Sequence, residues 1–236
     1  MRHSKTWLCG LVILVLAAGI AAPEAEAKRL DEAEFFIEIN ATDGDAGIQV
    51  FLDGVGWKRM KIFDPDGNKI VDTKNRNSVK QQGITEFFFE SAEPSFDVQT
   101  LEELMALFPE GRYRFEGVTT EGEPLTGKTK LTHDFPMQPM QVSPVDGESV
   151  DPENAVFTWV QVADPPGSEI VTYEVVLECE EPEFTKATFL VGPDVDSITV
   201  GPEFLEQEDL DECKWEVLAK EDSGNQTISE TEFSID

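Results

Sequence analysis

Arginine is missing from the last hundred residues of this chain, and lysine nearly so: residues 137–236 hold three Lys against 25 acidic side chains, a formal charge of −22. Over all 236 residues the balance is 18 Lys and Arg against 48 Asp and Glu, or −30. A surface of that sign repels phosphate backbones, which excludes nucleic acid as a partner and disfavours anionic membranes. Histidine is as scarce. Of two, only His133 lies beyond the first 27 residues, so nucleophilic catalysis of the serine or cysteine kind lacks a base and nucleophile in company. The soft ligand clusters that hold zinc are missing too. Carboxylates are so numerous that no glycosidase pair stands out, and the chain reads as a non-enzyme. Long apolar runs are also absent. The longest, Leu8 to Ala22, falls short of the roughly 20 residues that span a bilayer. With Arg2, His3 and Lys5 before it and Ala25-Glu26-Ala27 after it, it reads as a cleaved signal peptide over residues 1–27. The mature chain is therefore expected to be secreted or periplasmic, with no membrane span after cleavage. Cysteine is rare as well. Once Cys9 leaves with the leader, Cys179 and Cys213 remain, an even pair in an oxidising compartment.

What is present is short alternating runs. Phe35 to Ile39, then Ile48, Val50 and Leu52, then Trp57 to Phe63 read as strands, because apolar residues at period two bury one face and wet the other. Asp64-Pro65-Asp66-Gly67-Asn68 is a turn signal before Lys69-Ile70-Val71 and predicts a hairpin. Residues 83–90 carry three consecutive phenylalanines, Phe87, Phe88 and Phe89; a strand must turn at least one of them outward. Leu101, Leu104, Met105 and Phe108 share a helical face behind a Thr100/Glu103 capping box, and Pro109 ends that one short helix. Two prolines three apart, Pro136 and Pro139, favour a stiff extended connector. The division is therefore 28–135, a connector at 136–140, and 141–236.

In the first unit, Gly111-Arg112-Tyr113 opens a strand after a short helical crossover and resembles the tyrosine corner of immunoglobulin-like sandwiches. In the second, the resemblance is to the fibronectin type III family. It rests on Ser143-Pro144, Trp159 on the second of seven strands, Tyr173-Glu174-Val175 on the third, Leu205 before the sixth, the Trp215 to Ala219 series, and Gly224-Asn225 before the last. The fold class is thus all-β: two tandem β-sandwich domains, immunoglobulin-like then fibronectin type III-like, after a cleaved signal peptide. Cys213 stands where the family places a corner tyrosine. The family's third and sixth strands are antiparallel neighbours, so the resemblance implies a Cys179–Cys213 disulfide at their adjoining ends.

The resemblance implies binding, adhesion or spacing roles, and fold alone does not choose among them. The expected function is an exported, non-enzymatic binding or scaffold protein acting on a protein or glycan partner at the bacterial cell envelope. Two alternatives stay open, a carbohydrate-binding accessory module and a calcium-dependent adhesin. For calcium, Asp43 and Asp45, and Asp64 and Asp66, place oxygen ligands close together in turns, yet neither stretch completes a twelve-residue calcium loop; ordinary side-chain-capped turns are the plainer reading, and no cofactor is required. Residues 58–80 hold seven basic residues against three Asp. Lys58, Arg59, Lys61, Lys69 and Arg76 are the candidate interaction face, with a solvated strand surface as the plain alternative.

Overall fold

The computed structural model describes residues 27–180, 183–206, 210 and 212–236. The signal peptide expected over residues 1–27 lies outside them, Ala27 apart, as does most of the acidic stretch before Cys213.

The first half runs β1 (Lys28–Arg29), β2 (Glu32–Asn40), β3 (Asp45–Phe63), β4 (Lys69–Lys74), α1 (Asn77–Gln82), β5 (Ile84–Glu90), α2 (Leu101–Leu107), β6 (Gly111–Thr119) and β7 (Pro124–Leu131). The nineteen residues of β3 pair with four other strands of one sheet. Its first part pairs with β2 and β5; past an irregularity between Asp53 and Trp57 it pairs with β4 and β6. Gly54 sits at that bend, where an added Cβ would come within 3.2 Å of the Leu30 side chain. Alternation then directs Phe35, Ile37, Val50, Leu52, Met60, Ile62, Tyr113 and Phe115 into one core. Phe35 stacks on Tyr113 with ring centroids 4.1 Å apart. The Tyr113 hydroxyl donates to the Pro109 carbonyl at 3.2 Å, the backbone bond that a tyrosine corner makes. The expected capping box on α2 is present, and Leu104 is its buried anchor. The hairpin at residues 64–68 also forms, and Phe88 is the ring of its trio that faces solvent, while Phe87 and Phe89 pack on the core. The sequence gives no sign of α1, because none of its residues is buried and it has no apolar stripe to betray it.

The second half runs β8 (Met140–Ser143), β9 (Glu148–Val150), β10 (Val156–Val160), β11 (Ile170–Cys179), β12 (Thr185–Val191), β13 (Ser197–Thr199), α3 (Pro202–Leu205), β14 (Glu212–Glu221) and β15 (Gln226–Ile235). One sheet is β8, β10 and β13; the other is β12, β11, β14 and β15. All seven expected strands are there. The addition is β9, three residues that run parallel to the end of β15 and are too short to show alternation. Between the sheets Phe157 meets the rings of Trp215 and Phe233 edge-on, and the Trp215 indole N–H is satisfied by the Pro144 carbonyl at 3.0 Å. Antiparallel register brings Glu178 opposite Lys214, and one step further Cys179 and Cys213 form a disulfide across 34 positions of sequence. The fold is all-β and immunoglobulin/fibronectin type III-like, in two sandwiches with separate cores.

The sandwiches are joined by more than the chain. Glu38, Ile39 and Asn40 of β2 pair in parallel with Gln226, Thr227 and Ile228 of β15, so one sheet passes from β3 through β2 into β15 and β14. Asn225, fully buried, ties the seam from both sides. Its Oδ1 accepts the Ile37 amide N–H at 2.9 Å, and its Nδ2 donates to the Thr132 carbonyl at 2.9 Å and Oγ1 at 3.1 Å. The connector lies along β15, its Pro136 and Pro139 carbonyls accepting from the Thr227 and Ser229 hydroxyls at 2.8 and 2.6 Å.

Two predictions follow from these ties. Replacing Cys179 and Cys213 together by Ala should lower unfolding free energy by about 3 to 4 kcal/mol, the chain-entropy value for a loop of this length; a urea midpoint unchanged from the oxidised protein would refute it. Asn225→Ala leaves the Ile37 N–H and the Thr132 carbonyl buried without their partner. It should cost about 3 kcal/mol in the same measurement, and a loss well under 1 kcal/mol would contradict the role given to this side chain.

Candidate functional site

The four aspartates singled out in the sequence lie at opposite ends of β3. Asp43 is in the turn before it, where the Asn40 side chain accepts the Thr42 and Asp43 amides at 3.0 and 3.1 Å; Asp45 opens the strand. Asp64 follows the strand and closes its own loop, accepting from the Asn68 backbone N–H at 2.7 Å and side-chain amide at 2.9 Å. Burial opposes its ionisation, but these bonds outweigh it and hold the carboxyl below the usual aspartate range. Asp66 is exposed in the same turn. The structure does not bring the two pairs together.

It brings together three glutamates instead. Glu38 of β2, Glu90 at the end of β5 and Glu93 just beyond it each place a carboxylate oxygen within 4.8 Å of the others. The register explains how. Glu38 is paired with Gly47 across β2 and β3, and a Cβ on Gly47 would fall 2.7 Å from Glu93 Cγ. The missing side chain is what lets Glu93 lie over β3 and reach Glu38. On the other side of Glu38 stands its partner across the seam, Gln226, whose Nε2 donates to Glu38 Oε2. Burial, then the charges of Glu93 and Glu90, push the Glu38 carboxyl up to about 8. Burial, Glu90 and Asp45 push Glu93 up to about 7. Lys220 is a cation acting on Glu38, and it is paired with Glu174. Such a cluster can share protons or hold a hard cation. Spacing in sequence gives no access to it, since positions 38, 90 and 93 meet only through strand register; the available clue was a lone glutamate between Ile37 and Ile39.

The basic residues do not form one uncommitted patch. Arg59 grips Asp72 with two bonds at 2.9 and 2.8 Å, and Lys69 reaches the same carboxylate at 2.6 Å; these bonds pull Asp72 far below its ordinary value. Lys61 is in register between Asp72 and Glu116, Lys58 donates to the Thr120 carbonyl at 3.3 Å, and Arg76 caps α1 through its backbone position alone. The structure adds cations from β6 and β7. Arg112, Arg114 and Lys128, with Arg29, line an open groove of about 530 Å³ together with Asp31 and Glu116. The signal for this was Arg112-Tyr113-Arg114, two cations flanking a core ring on an alternating strand. The His133 ring lies 2.9 Å from the Phe108 carbonyl and stacks near Phe135, at the end of α2.

No known protein-family model matches the chain, and no curated protein sequence matches it. Among solved structures it is similar to a tetra-tandem repeat from the extending region of a large adhesion protein, at 14% identity and TM-score 0.28 over 87% of this chain and 50% of that one. It is similar to the chicken CNTN1 FN1-FN3 domains at 11% identity and TM-score 0.35, over 89% and 64%. A structure of a 1.5-MDa bacterial ice-binding adhesin aligns at 13% identity and TM-score 0.27, over 89% and 66%. The chain thus spans half to two thirds of these proteins' lengths. The fold assignment rests on its own strand order.

Glu38 sets an expectation for pH. Its folded value lies above that of an unfolded glutamate, so the native state holds more protons between pH about 4.5 and about 8, and stability is lost as pH rises through that window. In chelator-containing buffer, unfolding free energy should fall across it, and the slope should flatten in Glu38→Gln. Equal slopes in the two proteins would contradict the assignment.

Proposed function

We propose that this protein is exported and works at the bacterial cell envelope as a non-enzymatic binding or scaffold protein, two units at 28–135 and 141–236 joined through 136–140. The observation that carries the reading is the β2–β15 seam. A sheet continuous through both sandwiches holds the cationic groove of the first half and the acidic second half at a fixed spacing, which suits a part that positions partners. The disulfide supports an oxidising compartment and so an exported chain. A protein or glycan carrying negative charge fits the groove lined by Arg29, Arg112, Arg114 and Lys128. The three-glutamate cluster favours a second reading, in which adhesion depends on calcium.

The test uses labelled protein of residues 28–236 and envelope fractions of a producing bacterium. Arg112→Glu/Arg114→Glu/Lys128→Glu should reduce retention at least tenfold, with wild-type retention falling as salt rises. Retention equal in the triple variant and the wild type would overturn the assignment of the groove.

A further inference from the structure

We infer that Glu38, Glu90 and Glu93, with the side-chain oxygen of Gln226, form a calcium site at the seam between the two halves. The three carboxylates supply converging oxygens within 4.8 Å of one another. Oxygens bound to one calcium at about 2.3 to 2.6 Å can be no more than about 5 Å apart, so this spread fits a shared ion. An independent observation lies in Gln226. It is only 3% exposed, and its Oε1 is buried with no hydrogen-bond partner among the described residues. Nε2 of the same carboxamide donates to Glu38, which keeps the orphaned oxygen of that planar group beside the Glu38 carboxylate. A buried amide oxygen left unsatisfied is costly, and an amide oxygen is a usual calcium ligand.

Charge points the same way. Asp43 and Asp45 add to the field on Glu93, and Glu216 adds to the field on Glu38. Lys220, which opposes it, is engaged by Glu174. The donors are oxygen throughout, the set that suits a hard cation and not zinc or copper. The ligands also come from both halves: three from the first sandwich and one from β15. Calcium bound here draws β2, β5 and β15 together across the seam, an effect that holds whether or not an envelope partner binds.

Calorimetric titration of the disulfide-intact 28–236 protein with calcium chloride tests this, alongside melting temperature in calcium, magnesium or chelator. One saturable calcium ion per chain is expected, with a melting temperature higher in calcium than in chelator and little response to magnesium. Glu90→Gln/Glu93→Gln, two substitutions at accessible positions, should weaken binding at least tenfold while far-UV circular dichroism shows the fold retained. Gln226→Leu should weaken it less, and Asp64→Asn/Asp66→Asn should leave it unchanged. No saturable binding by wild type, or full binding by the Glu90/Glu93 double variant, would overturn the site. So would an equal response to magnesium, or loss of binding in the Asp64/Asp66 variant.

Discussion

Three residue pairs of parallel strand, Glu38 to Asn40 against Gln226 to Ile228, decide the character of this molecule. Without them each sandwich would present a raw strand edge, an invitation to pairing with other chains. With them the edge of the first half becomes the interior of a longer sheet. The same pairing places polar side chains where no water reaches. Asn225, just before β15, and Gln226, Thr227 and Ser229 at its start are all buried, and most of their polar atoms are satisfied by the connector, by β2 or by Thr132. A buried polar network fixes one arrangement of the parts through the bonds its members make. The seam is therefore a specific joint. Hydrophobic contact between the halves would have held them together less selectively.

The unsatisfied remainder of that network is as informative as the bonds. Glu38 is in the middle of a sheet that leaves little solvent beside it, and apart from Lys220 the charges acting on it are of its own sign. A chain selected for packing alone would place an apolar residue there. The cost of keeping a carboxylate in that position, facing two others and an orphaned amide oxygen, makes sense if something positive settles among them.

Much of the fold was legible because it depends on local rules. Alternation revealed β11, β14 and the two parts of β3, which read as separate strands and are one strand, Asp45–Phe63; the capping box revealed α2; Tyr113 and Gly111 revealed the corner; the pairing of Cys179 with Cys213 came through the fibronectin type III resemblance. What was hidden depends on register between distant strands. Nothing near Gly47 announces that Glu38 will lie opposite it and Glu93 above it. The proline connector suggested two units, but the β2–β15 pairing carries no local mark. Asn225 read as a turn residue before the last strand, and its reach back to Ile37 spans 188 positions. The basic stretch at 58–80 drew attention by density, while the cations that line the groove sit singly on β6 and β7.

Native-state hydrogen exchange at two amides tests the central claim most directly. The Ile37 and Ala41 N–H groups donate across the seam, to Asn225 Oδ1 and to the Ile228 carbonyl. If the seam binds the halves into one body, both amides exchange as slowly as those in the middle of β14, through the same global opening. Exchange of these two at the rate of an exposed loop, while both cores stay protected, would mean that the sandwiches are tethered and not fused.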